Sequence, residues 1–191
     1  MSFVGGLFCL RACDSTKIQR PDERSAPRHH TPSNGFPRGR IAIRRSHPTT
    51  AMLDLEPRQL RAEHRPLLQR FYRAQQSRTR IAPEAECWAI GSPIAAGLCL
   101  TPVEGGWWLT GLLVQPARRR QGLAPCIVAA ALHDRPGPTW LFCHPDLGDF
   151  YRRLGFREAD ELPASLFTRL QRYRRHKRLM ALMHEGNYRN S

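Results

Sequence analysis

Paired cysteines are missing from this chain. Its six cysteines (Cys9, Cys13, Cys87, Cys99, Cys126, Cys143) form no CxxC pair and no cluster with metal-ligand spacing, and four of them sit inside apolar runs. There a free thiol behaves as a small hydrophobe, so neither a disulfide framework nor structural zinc is expected, and a reducing, cytoplasmic setting fits. No apolar run is long enough to cross a membrane as a helix, and no membrane partner is expected. Phe3 to Leu10 is apolar but short, lacks a basic flank and leads to no clear small-residue cleavage site, so it does not read as a signal peptide. Acidic residues are scarce: 16 Asp and Glu against 30 Lys and Arg leave a formal charge of +14, with arginine far in excess of lysine. That balance points first to nucleic acid. Zinc-finger, homeodomain and RNA-binding patterns are absent, however, as is a series of aromatics along the basic leader. An arginine-rich solvated surface explains the charge better than nucleic acid does, and a small anionic ligand needs only a local cluster.

Composition divides the chain near residue 50. From Arg11 to Thr50 it is rich in Pro, Arg, His, Ser and Asn with hardly a periodic apolar position, so residues 1–50 read as a disordered basic leader. His29 and His30 are adjacent but lack partner ligands and read as solvated, with no metal site. Met52, at the boundary, is a second possible start of translation. One domain is expected over 51–185, followed by a short tail at 186–191. Within it, residues 57 to 75 place Leu60, His64, Leu67, Leu68, Phe71 and Tyr72 on one stripe of an amphipathic helix. Strands follow at Glu86–Ile90, Ile94–Leu100 and Trp107–Val114, separated by turns at Gly91-Ser92-Pro93 and Val103-Glu104-Gly105-Gly106. A helix from about Leu123 to His133 turns Leu123, Ile127, Val128, Ala131 and Leu132 inward and stops at Pro136-Gly137-Pro138. Thr139–Cys143 reads as a buried strand, and Asp146–Leu154 as a short helix closed by Gly155. The strand–helix–strand run from 107 to 143 calls for a right-handed crossover and one parallel pair, after antiparallel hairpins.

The densest signal is Gln115-Pro116-Ala117-Arg118-Arg119-Arg120-Gln121-Gly122-Leu123-Ala124, lying between the long strand and the helix. Such a junction aims the unpaired first N–H groups of a helix at one point, which suits a phosphate. Gly122 leaves room for a ligand to approach the backbone, and the arginines add charge at the rim.

This stretch, with Leu113 and Val114 before it, resembles the acetyl-CoA signature of the GNAT superfamily of N-acetyltransferases. The family's Arg/Gln-x-x-Gly-x-Gly/Ala pattern falls on Arg119, Gly122 and Ala124. One helix and one strand later, Phe150-Tyr151-Arg152-Arg153-Leu154-Gly155-Phe156 is similar to the family's second hallmark. The resemblance spans about 53–185 and is strong from 107 to 156. It implies an α/β fold (α+β by some schemes): a mixed, mostly antiparallel sheet splayed between two parallel strands, with helices on both faces. Three departures stand out. Ala124 replaces the more usual Gly, and His144 stands where an Asn is common. An inserted helix over Leu162–Arg178, with Leu162, Leu166, Leu170 and Tyr173 as its apolar side, precedes a last strand at Leu179–Met183.

The resemblance further implies acetyl-CoA as co-substrate, transferred to a primary amine on a small molecule or peptide by direct attack in a ternary complex. The pyrophosphate would lie on backbone N–H groups from Arg119 to Ala124, through Gln121, Gly122 and Leu123, helped by some of Arg118, Arg119 and Arg120. Leu113 and Val114 would pair their main chain with the pantetheine. Tyr151 is the expected acid toward the coenzyme A thiolate, the alternative being a ring that only packs on the cofactor tail. His144 is a base or acceptor contact, the alternative being a structural histidine. Glu104 is a remote candidate base, and Arg78 and Arg80 either grip an acidic substrate or are surface charge. Two other functions stay open: a nucleic-acid-binding module using the basic leader and the 169–178 cluster, and an acyl-CoA-binding domain without turnover. A monomer or homodimer is expected.

Overall fold

Pro66 decides where the first helix begins. In the computed structural model, which describes residues 55–186, the stretch read as one helix over 57–75 divides in two. Pro57–Leu60 is a strand, β1, paired antiparallel with residues 87–90; a single 3₁₀ turn follows at Ala62–His64, and helix α1 runs over Arg65–Ala74. A proline has no N–H to give a helix interior but fits its first turn, so a helix entering from residue 57 would have broken here. The edge of the neighbouring strand claims the freed residues. The buried stripe narrows to Leu68, Phe71 and Tyr72, while His64 and Leu67 face outward. The leader, its histidines, Met52 and residues 187–191 lie outside the described residues.

Strands β2 (Glu86–Ile90), β3 (Ala96–Val103) and β4 (Gly106–Val114) form an antiparallel meander. Helix α2 (Leu123–Leu132) crosses to β5 (Thr139–Cys143), which lies parallel to β4. A 3₁₀ turn at Pro145–Leu147 leads into the short α3 (Gly148–Arg152). The two-residue β6 (Arg157–Glu158), the inserted helix α4 (Ala164–Arg174) and β7 (Met180–His184) complete the order. The sheet runs β1-β2-β3-β4-β5-β7-β6, and β4–β5 is its one parallel junction among the described strands. β6 was not expected. It is exposed, charged and too short to carry a period, properties that keep an edge strand from recruiting another chain.

Three buried clusters divide the two faces. Under α2 and α3, the sheet supplies Leu98, Leu100, Leu109, Leu112 and Leu141, and α2 contributes Leu123, Ile127, Val128, Ala131 and Leu132, the five positions read as inward-facing. On the opposite face α1 packs Leu68, Phe71 and Tyr72 on Cys87, Cys99 and Leu113. There α4 packs Leu166 and Leu170 on Trp108, Trp140 and Phe142. Trp107 and Trp108 accordingly point to opposite faces, as alternation along a strand requires. Among the described residues, no helix is long and apolar enough to cross a membrane.

Candidate functional site

The parallel ladder between β4 and β5 is short. It pairs Trp107 with Thr139 and Trp108 with Trp140, then ends, although β4 runs on to Val114 and β5 to Cys143. Past this point, one edge of each strand has no sheet partner in the other. Just beyond the last rung β4 bulges: Gly97 pairs with Leu113 and Cys99 with Thr110, so Gly111 and Leu112 stand opposite Leu98 alone. Gly111 has φ +65°, and a Cβ there would meet the Tyr72 hydroxyl at 2.8 Å, so both backbone conformation and space require glycine. The extra residue keeps Leu112 and Val114 on the α2 face and Leu113 on the α1 face.

The bulge and the following pairing settle which backbone groups face the gap. The Gln115 N–H donates to the Ala95 carbonyl at 2.8 Å, toward β3. Successive residues of a strand direct their polar groups to opposite edges, so Val114 presents its N–H and C=O to the gap and Leu113 presents its own to Gly97. The sequence reading gave both residues the same main-chain role; only Val114 has that orientation. Its carbonyl accepts from Arg119 Nε at 3.5 Å.

Beyond Gln115 the chain makes a 3₁₀ turn at Pro116–Arg118, extends at Arg119, and then takes left-handed conformations at Arg120 (φ +62°) and Gly122 (φ +75°). Gly122 is the N-cap of α2, without a side-chain cap. Pro125 has no N–H, and the first helical bond runs from Cys126 N–H to the Gly122 carbonyl at 3.1 Å. The N–H groups of Leu123 and Ala124 therefore have no helical acceptor. A Cβ at Gly122 would meet no atom within 4 Å, so the space beside it is open. Arg118 and Arg120 are exposed and Arg119 is half-buried; none of the three has a carboxylate partner among the described residues. Gln121 is spent locally, its amide donating to the Ala117 carbonyl. Backbone donors at a helix start, alternating left-handed turns and cations without a carboxylate partner among the described residues form an arrangement that suits an anion.

Val114, Leu123, Cys143 and Tyr151 belong to one buried cluster, with Ala124 packed against it. Tyr151 is fully buried, edge-on to Phe150 at 5.0 Å and Phe156 at 5.7 Å. His144 is apart from that cluster and exposed, and it caps the turn after β5. Its Nδ1 accepts from the Asp146 N–H at 3.4 Å and lies 3.1 Å from the Asp146 carboxylate, which it reaches as a donor only when protonated. Cys143 is buried and His144 is exposed. Glu104 sits in the turn before β4, at the far end of the strand from Val114, roughly 25 Å away at the rise of an extended chain. Arg78 and Arg80 are exposed.

Beneath the bulge lies a cluster that the sequence reading missed. Cys87 and Cys99 are register partners with sulfurs 4.0 Å apart, and the Tyr72 hydroxyl lies 3.7 Å from Cys99. The Cys99 thiol hydrogen-bonded to Cys87, with Arg65 adding its charge, brings Cys87 down to about 7 against the opposing effect of burial. The same bond and burial push Cys99 up. A two-residue periodicity placing both cysteines on one face of adjacent strands was the available signal.

No protein-family model matches the chain, and no curated protein sequence does. Solved structures do match. N-acetylglutamate synthase from Neisseria gonorrhoeae, complexed with coenzyme A and L-arginine, superposes with a TM-score of 0.52 at 17% identity, over 70% of this chain and 33% of that one. The same synthase complexed with coenzyme A and N-acetyl-glutamate gives 0.52 at 16%, over 70% and 35%. Escherichia coli ElaA gives 0.50 at 14%, over 69% of this chain and 99% of its own. The fold is GNAT-like. The chain spans about a third of the synthase's length, and at these identities the likeness is one of fold.

Proposed function

We propose that this protein is an acetyl-CoA-dependent N-acetyltransferase of the GNAT type acting on a primary amine. The observation that carries this reading is the β4–α2 turn: helix-start N–H groups without a helical acceptor and three arginines without a carboxylate partner among the described residues, at the end of a strand whose ladder to β5 has stopped. The pyrophosphate lies on the N–H groups of Gly122, Leu123 and Ala124, with Arg118, Arg119 and Arg120 around it. The pantetheine pairs with the Val114 main chain on the side facing β5. Arg119 now occupies the Val114 carbonyl, so binding exchanges that long contact for the phosphate and frees the carbonyl for a pantetheine amide.

In the reaction the amine lone pair attacks the thioester carbonyl. The C–N bond forms, the amine gives up a proton to water or to His144, and the C–S bond breaks. Tyr151 gives its phenolic proton to the departing thiolate, and the proton released by the amine restores the phenol. Tyr151 belongs to the same buried cluster as Val114 and Leu123, beside the strand and the helix start that hold the cofactor, which supports that role.

Thermal shift with acetyl-CoA, coenzyme A and duplex DNA tests the binding. Both coenzyme A species should stabilise the protein, and DNA should do little at physiological salt. No shift with acetyl-CoA overturns the assignment. Binding without thiol release across a broad amine panel favours an acyl-CoA-binding domain without turnover. Tyr151→Phe should leave acetyl-CoA affinity nearly intact and lower turnover by about 10²–10⁴-fold; near-normal turnover with chemistry rate-limiting assigns the ring to packing alone. Nucleic-acid binding is the second reading, favoured by one observation: Arg172, Arg174, Arg175, Lys177 and Arg178 are all exposed around the end of α4.

A further inference from the structure

We propose that the cavity between α1 and the β1 edge of the sheet binds a small anionic amphiphile, a carboxylate or phosphate ester on an apolar body. The cavity measures about 830 Å³, inside the range of about 300–1,000 Å³ usual for small-molecule pockets. Strand β1, the β2–β3 turn and the outer face of α1 enclose it.

Its lining has two chemistries. Leu60, Leu67, Phe71 and Ile94 give an apolar wall, and Arg58, Arg61 and Arg70 give three cations, with no carboxylate among the lining residues. Leu67 is 47% exposed, one of two large apolar side chains left open among the described residues. Arg70 lies three positions further on along the same helix face and has no carboxylate partner among the described residues. A ligand body laid on Leu67 therefore brings its head group to Arg70. Arg58 is held at the rim by its bond to the Gly91 carbonyl at 3.3 Å, and Arg61 has only a loose 3.9 Å contact with exposed Glu63. An apolar wall ending in three guanidinium groups, two of them without a carboxylate partner among the described residues, selects an anion with a greasy tail; a cation is repelled and a neutral alcohol leaves the charges unanswered. Gln115 lines the cavity and opens the β4–α2 turn, so the two sites adjoin. This site is independent of the acetyltransferase reading and needs no coenzyme A.

Calorimetry on the full chain with octanoate, octyl phosphate, octanol and octyltrimethylammonium, all kept below micellar concentration, tests it. Both anions, or one of them, should bind, which also fixes the head group, while the alcohol and the cation should not. Arg70→Glu should weaken anion binding by at least about tenfold, as loss of a charge-assisted contact requires. Arg73→Gln, exposed on α1 but outside the cavity lining, should leave it unchanged. Circular dichroism checks that both variants fold. Absence of binding by either anion overturns the proposal, as does equal binding of the cation or full anion affinity in Arg70→Glu.

Discussion

Arginines serve opposite purposes at two places in this molecule. At the β6 edge, Arg152 is gripped by Asp149 at 2.7 Å and Glu158 at 2.9 Å, and Arg157 by Asp160 and Glu185, each at 2.8 Å. Their carboxylate hydrogen bonds, to Glu158 and Glu185 foremost, raise both guanidinium pKa values further. At the β4–α2 turn, Arg118, Arg119 and Arg120 have no carboxylate partner among the described residues, and one of them bonds only a backbone carbonyl. An arginine already neutralised by the protein ties segments together. One left uncompensated beside free N–H groups retains its attraction for an outside anion.

The largest expected effect separates these two groups. Neutralising the turn as Arg118→Gln/Arg119→Gln/Arg120→Gln should weaken coenzyme A binding by about 10³-fold, about one order of magnitude per charge-assisted contact, with little change in melting temperature. Arg152→Gln/Arg157→Gln should do the reverse, lowering the melting temperature slightly and sparing affinity. Titration calorimetry and thermal scans of both variants check the pair, and matching behaviour would break the comparison.

Gly122→Val comes next. It places a β-branched side chain at φ +75° and fills the open space beside the turn, so coenzyme A affinity should fall by about 10²-fold and stability by roughly 1–3 kcal/mol of backbone strain. A variant that binds normally shows that the phosphate does not approach there.

Salt gives a smaller contrast. Raising ionic strength from about 0.05 M to about 0.5 M should weaken coenzyme A binding roughly tenfold, since the turn arginines are exposed to screening. Enzyme–ligand titrations at the two concentrations measure it.

The smallest effect concerns pH. His184, in β7 with its ring 5.3 Å from Phe156, has its pKa lowered by burial, against the backbone bond and charge of Glu185. A histidine depressed in the fold binds its proton more readily when unfolded. Its contribution is therefore full above the ordinary value near 6.5 and is lost as pH falls through the folded value. The melting temperature should drop on acidification from about pH 7 to about 5.5. The drop should be smaller in His184→Gln.

How far these features could be read from residues alone varied with their cause. β2, β4, α2 and β5 were legible because long apolar runs end at Gly and Pro, and local chemistry fixed both the period and the stop. The same holds for the turn, where Gly122 and three arginines adjoin a helix start. β1 was misread because its helical period is real: Leu60, Leu68, Phe71 and Tyr72 fit one stripe, and only the edge of β2 makes 57–60 extended. Pro66 was the overlooked local signal. β6 carries too few residues for any pattern.

The sequence by itself determined the element order from β2 to α3, the parallel junction and the chemistry of the turn, because each depends on neighbours along the chain. Tertiary structure alone decided the rest. It set the bulge at Gly111, where Tyr72 from another element fills the space, and it turned Val114 rather than Leu113 toward the gap. It also added Glu158 and Glu185 to the local Asp149–Arg152 and Arg157–Asp160 pairs, while leaving Arg118, Arg119, Arg120 and Arg70 without a carboxylate partner among the described residues. An arginine's partner is chosen by what the fold brings within about 4 Å, and long-range neighbours leave no mark on local sequence.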